Sequence, residues 1–286
     1  MTDSKATPSF ADLRDIAVQL VEETARIISA KRAELTQDHD IREFAMTKSS
    51  AVDPVTIVDN LAEDHLAERI EEMRPDDGIV GEEGTDKPST SGISWVIDPI
   101  DGTVNFLYGL PNYAVSVAAA RDGDVVAGAV INVVSGEVYS AAKGEGATVR
   151  DEHELLVPLH ASAADDPATS LVATGFGYVA SRRAAQAQLL TKLLPQVRDI
   201  RRMGSAALDL CALAAGKVDI YYEHGIHCWD YAAGSLIAAE AGARCDLPAL
   251  SMPGKEGHIV FAAAPGVFDS AHELFSQVGV LVPIPA

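Results

Sequence analysis

The chain is poor in cysteine and in positive charge. Its 286 residues include three cysteines, Cys211, Cys228 and Cys245, without a C-x-x-C spacing, which favours free thiols in a reducing compartment over a disulfide framework. Lys and Arg number 22 against 42 Asp and Glu, so the net charge is −20. Such a surface repels polyanions, and direct binding to nucleic acid is disfavoured. We expect a cytoplasmic protein.

Long apolar runs are missing as well. The N-terminus carries Asp3 and has no apolar segment of the kind that a signal peptide needs. The longest uncharged stretch, residues 102–120, is interrupted by asparagine, glycine and proline, which argues against a membrane-spanning helix. Hydrophobic residues make up 48% of the chain and charged residues 22%, as in ordinary folded proteins. No membrane association is expected.

Periodicity predicts two helices near the N-terminus. Apolar residues at three- and four-residue steps predict a helix over residues 9–37, with Ser9 and Asp12 spaced as a capping box. A second helix is predicted after Asp59, with its apolar residues facing inward, Leu61 included.

The remaining sequence predicts two sheets. Short β-branched runs over residues 79–150 predict a largely antiparallel meander of strands. Strand and helix patterns alternate over residues 171–286, and the turn-rich stretch 157–170 separates the two halves. We expect a layered α/β architecture in which both sheets share one catalytic region. The predicted organisation is a tail over residues 1–8 and one catalytic domain over 9–286, with an N-terminal half (9–156) and a C-terminal half (171–286).

Carboxylates occur where apolar segments end. Glu82 and Glu83 follow one predicted strand, Asp98 and Asp101 follow the next, and Asp230 opens a helix. A buried carboxylate is costly unless a cation or hydrogen bonds satisfy it. These positions are therefore candidates for a binding site.

The segment Asp98-Pro99-Ile100-Asp101-Gly102-Thr103 can gather several oxygens in a small volume, because proline fixes one dihedral angle and glycine permits a tight bend. Two carboxylates, a carbonyl and a hydroxyl select hard cations, and Mg²⁺ is the natural candidate. The alternative is a plain turn, since Asp, Pro and Gly are turn residues. The other acidic segments favour the cation site.

Four ordered motifs closely resemble the inositol monophosphatase family. They are KSSAVDPVTIVD at 48–59, GEEG at 81–84, WVIDPIDGTVNFLYGLP at 95–111 and WDYAAGSLIAAEAGA at 229–243. The resemblance covers residues 10–275. It implies a layered α-β-α-β-α sandwich of the sugar-phosphatase type, and a magnesium-dependent, lithium-sensitive phosphatase that forms a homodimer. The apolar stretch 113–120 is a candidate for the region near the subunit contact.

The resemblance also implies roles for particular residues. Matching the motifs by position gives the Mg²⁺ ligands Glu82, Asp98, the carbonyl of Ile100, Asp101 and Asp230. Thr103 matches the hydroxyl that positions the attacking water, and Asp59 matches the acid that supports it. The backbone amides of Gly102 and Thr103 fall where the phosphate binds. Glu83 is not a direct ligand by this match.

The implied reaction is direct in-line attack of water on a phosphate monoester, with Glu82, Thr103 and Asp59 as the catalytic residues. Four ligand carboxylates and a phosphate dianion leave a charge that three divalent cations would neutralise. Without metal, such a site repels its substrate. No phosphoenzyme is expected, because each candidate aspartate is committed to metal.

The resemblance implies inositol monophosphate as the substrate. Glu223 matches the glutamate that accepts hydrogen bonds from ring hydroxyls, and Ser205 matches a small polar residue beside the sugar, with the Gly204 and Ala206 backbone close by. The full set of expected substrate contacts is Glu82, Ile100, Asp101, Gly102, Thr103, Gly204, Ser205, Ala206, Glu223 and Asp230.

Other substrates and a non-catalytic role remain alternatives. Histidinol-phosphate and fructose-1,6-bisphosphate phosphatases share the scaffold that the resemblance implies, and some bacterial relatives are linked to transcription complexes as non-catalytic partners. The H-x-x-H-C segment at 224–228 lacks the second ligand pair of a zinc site. The G-x-G at 175–177 lacks the third glycine of a dinucleotide loop.

Overall fold

The computed structural model describes residues 8–47, 54–150 and 155–286. Most of the expected N-terminal tail and the segment 48–53, with Lys48 of the first motif, lie outside the described residues. Helices of the described residues are α1 (Phe10–Leu35), α2 (Ile57–Met73), α3 (Thr103–Tyr108), α4 (Ala180–Leu193), α5 (Ala206–Ala214), α6 (Cys228–Glu240) and α7 (Phe268–Val278). Strands are β1 (Ala45–Thr47), β2 (Pro54–Thr56), β3 (Gly78–Gly81), β4 (Ile93–Asp101), β5 (Ala114–Arg121), β6 (Asp124–Asn132), β7 (Val138–Ala142), β8 (Ala147–Arg150), β9 (Leu156–Pro158), β10 (Leu171–Thr174), β11 (Asp199–Arg201), β12 (Ile220–His224), β13 (Arg244–Asp246) and β14 (Ile259–Ala263).

The first helix forms as predicted. The amide of Asp12 donates to Ser9 Oγ at 3.1 Å, and the Ser9 amide donates back to Asp12 Oδ2 at 2.9 Å. This capping box satisfies two donors that the first turn of a helix leaves without partners. The predicted inward stripe is buried along α1.

The second helix, predicted to follow Asp59, starts three residues earlier, at Ile57, with Thr56 as its N-cap. Asp59 therefore lies inside the first turn. The expectation that Leu61 faces inward is wrong, because its side chain is 41% exposed. The buried stripe follows four-residue steps from Val58 to Ile70, and Leu61 lies off that stripe.

A seven-stranded sheet follows the order β3-β4-β5-β6-β7-β8-β9. β3 pairs parallel with β4, and every later neighbour is antiparallel. β5 is central, and its alternating side chains pack into two different cores, Val115 and Val117 on the side of α1 and α2, Ala114 and Ala118 on the side of α5 and α6. Both faces of β5 are buried within one chain, so its side chains do not themselves form a surface, and the position of 113–120 near a subunit contact stays a prediction.

A five-stranded sheet follows the order β11-β10-β12-β14-β13. Its inner face packs on α5 and α6 through Ala173 and Tyr221, and its outer face packs on α4 and α7 through Val172 and Phe261. The layers are thus α1/α2, sheet, α5/α6, sheet and α4/α7, which confirms the predicted α-β-α-β-α sandwich. Residues 9–286 as one domain stay a prediction.

Several elements differ from expectation. The short strands β11 and β13, for example, were not predicted, and α6 begins at Cys228, two residues before Asp230, which was expected to open this helix. Because α6 starts earlier, Asp230 lies in its first turn, where a carboxylate interacts favourably with the helix dipole. Among the described residues, none of the helices has the length and apolar composition needed to cross a bilayer.

Candidate active site

Three carboxylates from distant parts of the chain meet between the two sheets. Ligand oxygens of Asp98, Asp101 and Asp230 all lie within 4.8 Å of one another. Asp98 and Asp101 lie at the end of β4, where the pairing with β5 changes register between them. Such a bulge redirects side chains locally. The sequence prediction that these three residues come together agrees with this geometry.

Glu82 lies next to the cluster because of the parallel pairing of β3 and β4. Gly81, the last residue of β3, stands opposite Ile97, so Glu82, which follows the strand, is a neighbour of Asp98. Burial raises the pKa of Asp98 well above its ordinary value, and the negative charge of Glu82 raises it further. Glu82 therefore lies beside Asp98, but it is not among the three acids whose oxygens lie within 4.8 Å of one another.

Asp101 receives two hydrogen bonds from the start of α5. The Ser205 hydroxyl donates to Asp101 Oδ2 at 2.6 Å, and the Ala207 amide donates to the same oxygen at 2.7 Å. Burial raises the pKa of Asp101 to about 6, while the Ser205 hydroxyl opposes that rise. The hydroxyl of Ser205, expected beside the sugar, thus lies on a ligand carboxylate.

Asp230 is held by the first turn of α6. Its carboxylate accepts a hydrogen bond from the His227 amide, and His227 caps the helix with its ring stacked on Trp229 at 4.6 Å between centroids. Burial raises the pKa of Asp230 well above its ordinary value, followed by the charge of Asp101. The helix fixes the direction of this carboxylate.

No Lys, Arg or His in the described ranges lies within 4.0 Å of the carboxylate oxygens of Asp98, Asp101 or Asp230. Two buried carboxylates and the half-buried Asp230, with no cation among the described residues beside them, repel one another unless they bind protons or a metal. Their oxygen-only ligand set suits a hard divalent cation. The residues present therefore fit the metal that the resemblance implies.

Thr103 and Asp59 lie beside this cluster. The Thr103 hydroxyl has two acceptors in reach, Asp59 Oδ1 at 3.3 Å and the Ile100 carbonyl at 3.1 Å. Thr103 is the first residue of α3, and Asp59 is in the first turn of α2. The expected support of Thr103 by Asp59 thus has a geometric basis.

Gly102 caps α3 with φ of +98°. A Cβ at this position would also lie 3.0 Å from the Asn112 carbonyl and 3.1 Å from the Gly204 carbonyl. Both the left-handed backbone and this close approach require glycine. The turn brings the amides at the start of α3 next to the loop that carries Gly204.

Glu223 lies on β12 and is 8% exposed. The Tyr221 hydroxyl donates to its Oε2 at 3.0 Å, as the two-residue repeat of a strand permits. Burial raises the pKa of Glu223 to about 7, and its hydrogen bond with Tyr221 opposes that rise. A Cβ on Gly175 would lie 2.1–2.3 Å from this carboxylate. The first glycine of the G-x-G segment therefore makes room for Glu223.

Two residues that the sequence analysis missed also shape the site. Asn105 Nδ2 donates to the Asn112 carbonyl at 2.7 Å and to the Met203 carbonyl at 2.8 Å, which ties α3 to the loop before α5. Asp209 is 1% exposed and its pKa is raised by burial and then by the charge of Glu223. Each is a single polar residue in an apolar segment, which is the only signal the sequence offers.

Comparisons with known proteins agree with this geometry. The family model described as the inositol monophosphatase family matches residues 10–272. The chain is 50% identical over 281 residues to an inositol-1-monophosphatase of Mycobacterium leprae, covering 95% of this chain and 96% of that protein. It is 38% identical to a Nus factor SuhB of Pasteurella multocida, covering 88% and 91%. The structure of Mycobacterium tuberculosis SuhB matches with a TM-score of 0.82 at 44% identity, covering 96% of this chain and 100% of that one.

The layered fold and the buried acid cluster define a metal-dependent phosphatase. The family match over almost the whole chain makes the assignment specific. The chain belongs to the inositol monophosphatase family, which confirms the prediction of a phosphoric monoester hydrolase.

Proposed function

We propose that this protein is a magnesium-dependent phosphatase that hydrolyses inositol 1-phosphate to myo-inositol and phosphate. The observation that carries the proposal is the meeting of Asp98, Asp101 and Asp230 within 4.8 Å of one another, with no Lys, Arg or His of the described residues paired to them. Relatives named inositol-1-monophosphatase at about 50% identity support the substrate.

The proposed Mg²⁺ ligands are Glu82, Asp98, the carbonyl of Ile100, Asp101 and Asp230. Bound magnesium would supply charge neutralisation for the phosphate and would lower the pKa of a water molecule at the site. The carboxylates provide the negative charge that retains the cation. Ser205 and the Ala207 amide hold Asp101 through its Oδ2, so the other oxygen remains available.

Thr103 is proposed to position the attacking water. Its single hydroxyl hydrogen is directed to Asp59 or to the Ile100 carbonyl. A lone pair of Thr103 Oγ1 is then free to accept a hydrogen bond from water. Glu82, adjacent to Asp98, is the second group placed to orient this water and to accept its proton during in-line attack.

The phosphate is proposed to bind at the backbone amides of Gly102 and Thr103. The first amides of a helix have no intrahelical acceptor, and Thr103 is the first residue of α3, with Gly102 as its N-cap. These backbone amides would donate hydrogen bonds to the phosphate oxygens, and no side chain would be needed for this contact.

The inositol ring is proposed to lie against Glu223 and the loop that precedes α5. A carboxylate accepts hydrogen bonds from the hydroxyl groups that a neutral polyol presents. Gly204 and Ala206 would line the ring through their backbone, and Ser205 would contribute by fixing Asp101 beside it.

We further propose a cytoplasmic homodimer that is inhibited by lithium. The cysteine pattern supports the reducing compartment, and the family supports the dimer and the inhibition. No binding of nucleic acid or membrane is expected from a chain with a net charge of −20.

Two alternatives remain as candidates. Histidinol phosphate and fructose 1,6-bisphosphate would require the same metal site and a different alcohol pocket. A role with a transcription complex is suggested by relatives named Nus factor SuhB at 37–38% identity, which is lower than the 50% identity to the inositol-1-monophosphatase of Mycobacterium leprae.

A substrate panel tests the proposal. Purified protein is assayed with inositol 1-phosphate, histidinol phosphate and fructose 1,6-bisphosphate, each with magnesium and with EDTA. We expect the highest kcat/KM for inositol 1-phosphate, and loss of turnover in EDTA. Preference for another ester would overturn the substrate, and turnover that persists in EDTA would overturn the metal site.

A further inference from the structure

α2 carries a second buried carboxylate one turn after Asp59. Glu63 is 1% exposed, and its two carboxylate oxygens accept hydrogen bonds from the backbone amides of Glu83 at 2.7 Å and Thr85 at 2.9 Å. These amides belong to the turn that follows β3 and begins with Glu82. Hydrogen bonds from amides to a carboxylate are stronger than those to a neutral acceptor.

Gly81, at the end of β3, leaves the space that the Glu63 carboxylate occupies. A Cβ on Gly81 would lie 2.7 Å from Glu63 Oε1, 2.8 Å from Cδ and 2.9 Å from Oε2. The carboxylate of Glu63 could move away from such an atom, but its bonds to the two amides would then be lost. Glycine at 81 and glutamate at 63 therefore form one unit that fixes the turn.

We propose that Glu63 is a positioning residue for Glu82. By holding the amides of the next residues, it fixes the turn so that the Glu82 carboxylate stays beside Asp98 and faces the proposed metal site. The inference rests on the proposed metal-dependent function. It makes α2 the support of two parts of the site, Thr103 through Asp59 and Glu82 through Glu63.

The chain offers a matched control. Glu240, in the last turn of α6, accepts hydrogen bonds from the amides of Gly144 at 2.8 Å and Gly146 at 2.9 Å. This is the same carboxylate clamp on a turn that carries no proposed ligand. Its removal tests the effect of losing such a clamp without disturbing Glu82.

The first experiment compares Glu63→Gln with Glu240→Gln. Magnesium is titrated into each protein in the absence of substrate, with the melting temperature as the readout, and again with phosphatase activity as the readout. We expect Glu63→Gln to raise the half-maximal magnesium concentration about 10-fold in both titrations, since supporting residues of metal sites typically have effects of this size. The KM for inositol 1-phosphate at saturating magnesium is expected to stay near wild type, as is every value for Glu240→Gln.

Equal magnesium midpoints for Glu63→Gln and Glu240→Gln would overturn the positioning role while leaving the proposed function standing. A wild-type protein that gives no response to magnesium in either titration would overturn the proposed function and this inference with it. The two failures are therefore distinguishable.

A second experiment uses Gly81→Ala. Alone, this change is expected to raise the magnesium midpoint in the same direction, because the new Cβ displaces the Glu63 carboxylate. In a Glu63→Ala background the atoms it would meet are gone, so the addition of Gly81→Ala is expected to cause no further shift. Additive shifts would overturn the proposal. If Glu63→Ala does not fold, wild-type midpoints in both Glu63→Gln and Gly81→Ala would overturn it equally.

Discussion

Asp77 and Asp98 are both buried aspartates, but their partners differ. Asp77 accepts hydrogen bonds from Arg74 Nε at 2.9 Å and Nη2 at 3.0 Å, from the Ser91 hydroxyl at 2.6 Å and from Trp95 Nε1 at 3.0 Å. Asp98 has the Ile100 amide at 3.0 Å and two further carboxylates within 4.8 Å.

This difference separates a structural acid from a binding site. The charge of Asp77 is balanced by the Arg74 guanidinium, and two further donors of the chain, the Ser91 hydroxyl and Trp95 Nε1, also bind it, so the residue stabilises the fold. The charges of Asp98, Asp101 and Asp230 have no such balance among the described residues, so they destabilise the metal-free fold. The charged cluster of Asp98, Asp101 and Asp230 is stable only if a ligand supplies the missing positive charge.

The largest effect is expected for Asp98→Asn. The amide is a poorer ligand for a hard cation, so kcat/KM for inositol 1-phosphate is expected to fall at least about 100-fold, the upper range for residues that only support a metal site. Steady-state kinetics with magnesium measure it, and circular dichroism checks that the variant is folded. Wild-type turnover in a folded variant would show that Asp98 is not a metal ligand.

Replacement of Asp77 and replacement of Asp98 are expected to change the free energy of unfolding in opposite directions. Asp77→Asn leaves the Arg74 guanidinium without its carboxylate and should cost about 3 kcal/mol of unfolding free energy. Asp98→Asn removes a charge from the repelling cluster and should stabilise the metal-free protein. Urea unfolding in EDTA measures both. If both variants lose stability equally, the distinction between the two acids is wrong.

A smaller effect is expected from pH. The pKa of Asp98 and Asp230 is raised well above the ordinary value, and that of Asp101 to about 6. Above about pH 4 the folded, metal-free state therefore binds more protons than the unfolded state. The contribution of these acids to the free energy of unfolding falls as the pH rises through their folded-state pKa values. His224, whose pKa is lowered by burial, gives the opposite slope up to about pH 6.5.

Subtracting the melting temperature of Asp98→Asn from that of wild type separates the contribution of the acid cluster from that of His224. We expect the melting temperature of wild type in EDTA, minus that of Asp98→Asn, to fall between pH 5 and pH 8. Magnesium should stabilise wild type more at pH 8 than at pH 5, since deprotonated ligands bind it. A difference that does not change with pH would contradict the assigned pKa directions.

Glu223 lies between the two cases, because it is buried and has Tyr221 as a donor, while its pKa is still raised to about 7. Glu223→Gln removes one charged acceptor, a change worth roughly 1.5–3 kcal/mol. The KM for inositol 1-phosphate should rise about 10- to 150-fold, and that for p-nitrophenyl phosphate should change little. Equal changes for both esters would remove Glu223 from the proposed alcohol pocket.

The residues of the acid cluster could be predicted because each lies in a short motif at the end of an apolar segment. Asp98 and Asp101 are separated by proline and isoleucine and followed by glycine, a local pattern that a buried strand does not otherwise contain. Asn105 and Glu63 have no such context. Their partners are backbone groups, and for Glu63 these lie 20 and 22 residues away. Such contacts depend on the packing of whole elements, which a local pattern does not contain.

The fold shows the same limit. Long helices and the central strands have enough residues to show a period, whereas β11 and β13 have three residues each and no readable period. The start of α6 was not predicted because its N-cap is His227, which is not among the usual N-cap residues. The layers could thus be predicted, but the edge strands and this helix start could not.

The most direct test of the central claim is the anomalous scattering map of crystals soaked in Mn²⁺, a cation that takes similar oxygen ligands. We expect a peak between Asp98, Asp101 and Asp230, roughly 2.1 Å from the carboxylate oxygens, and none at Asp77. A map without a peak among these three acids, from crystals that diffract well and carry manganese elsewhere, would contradict that claim.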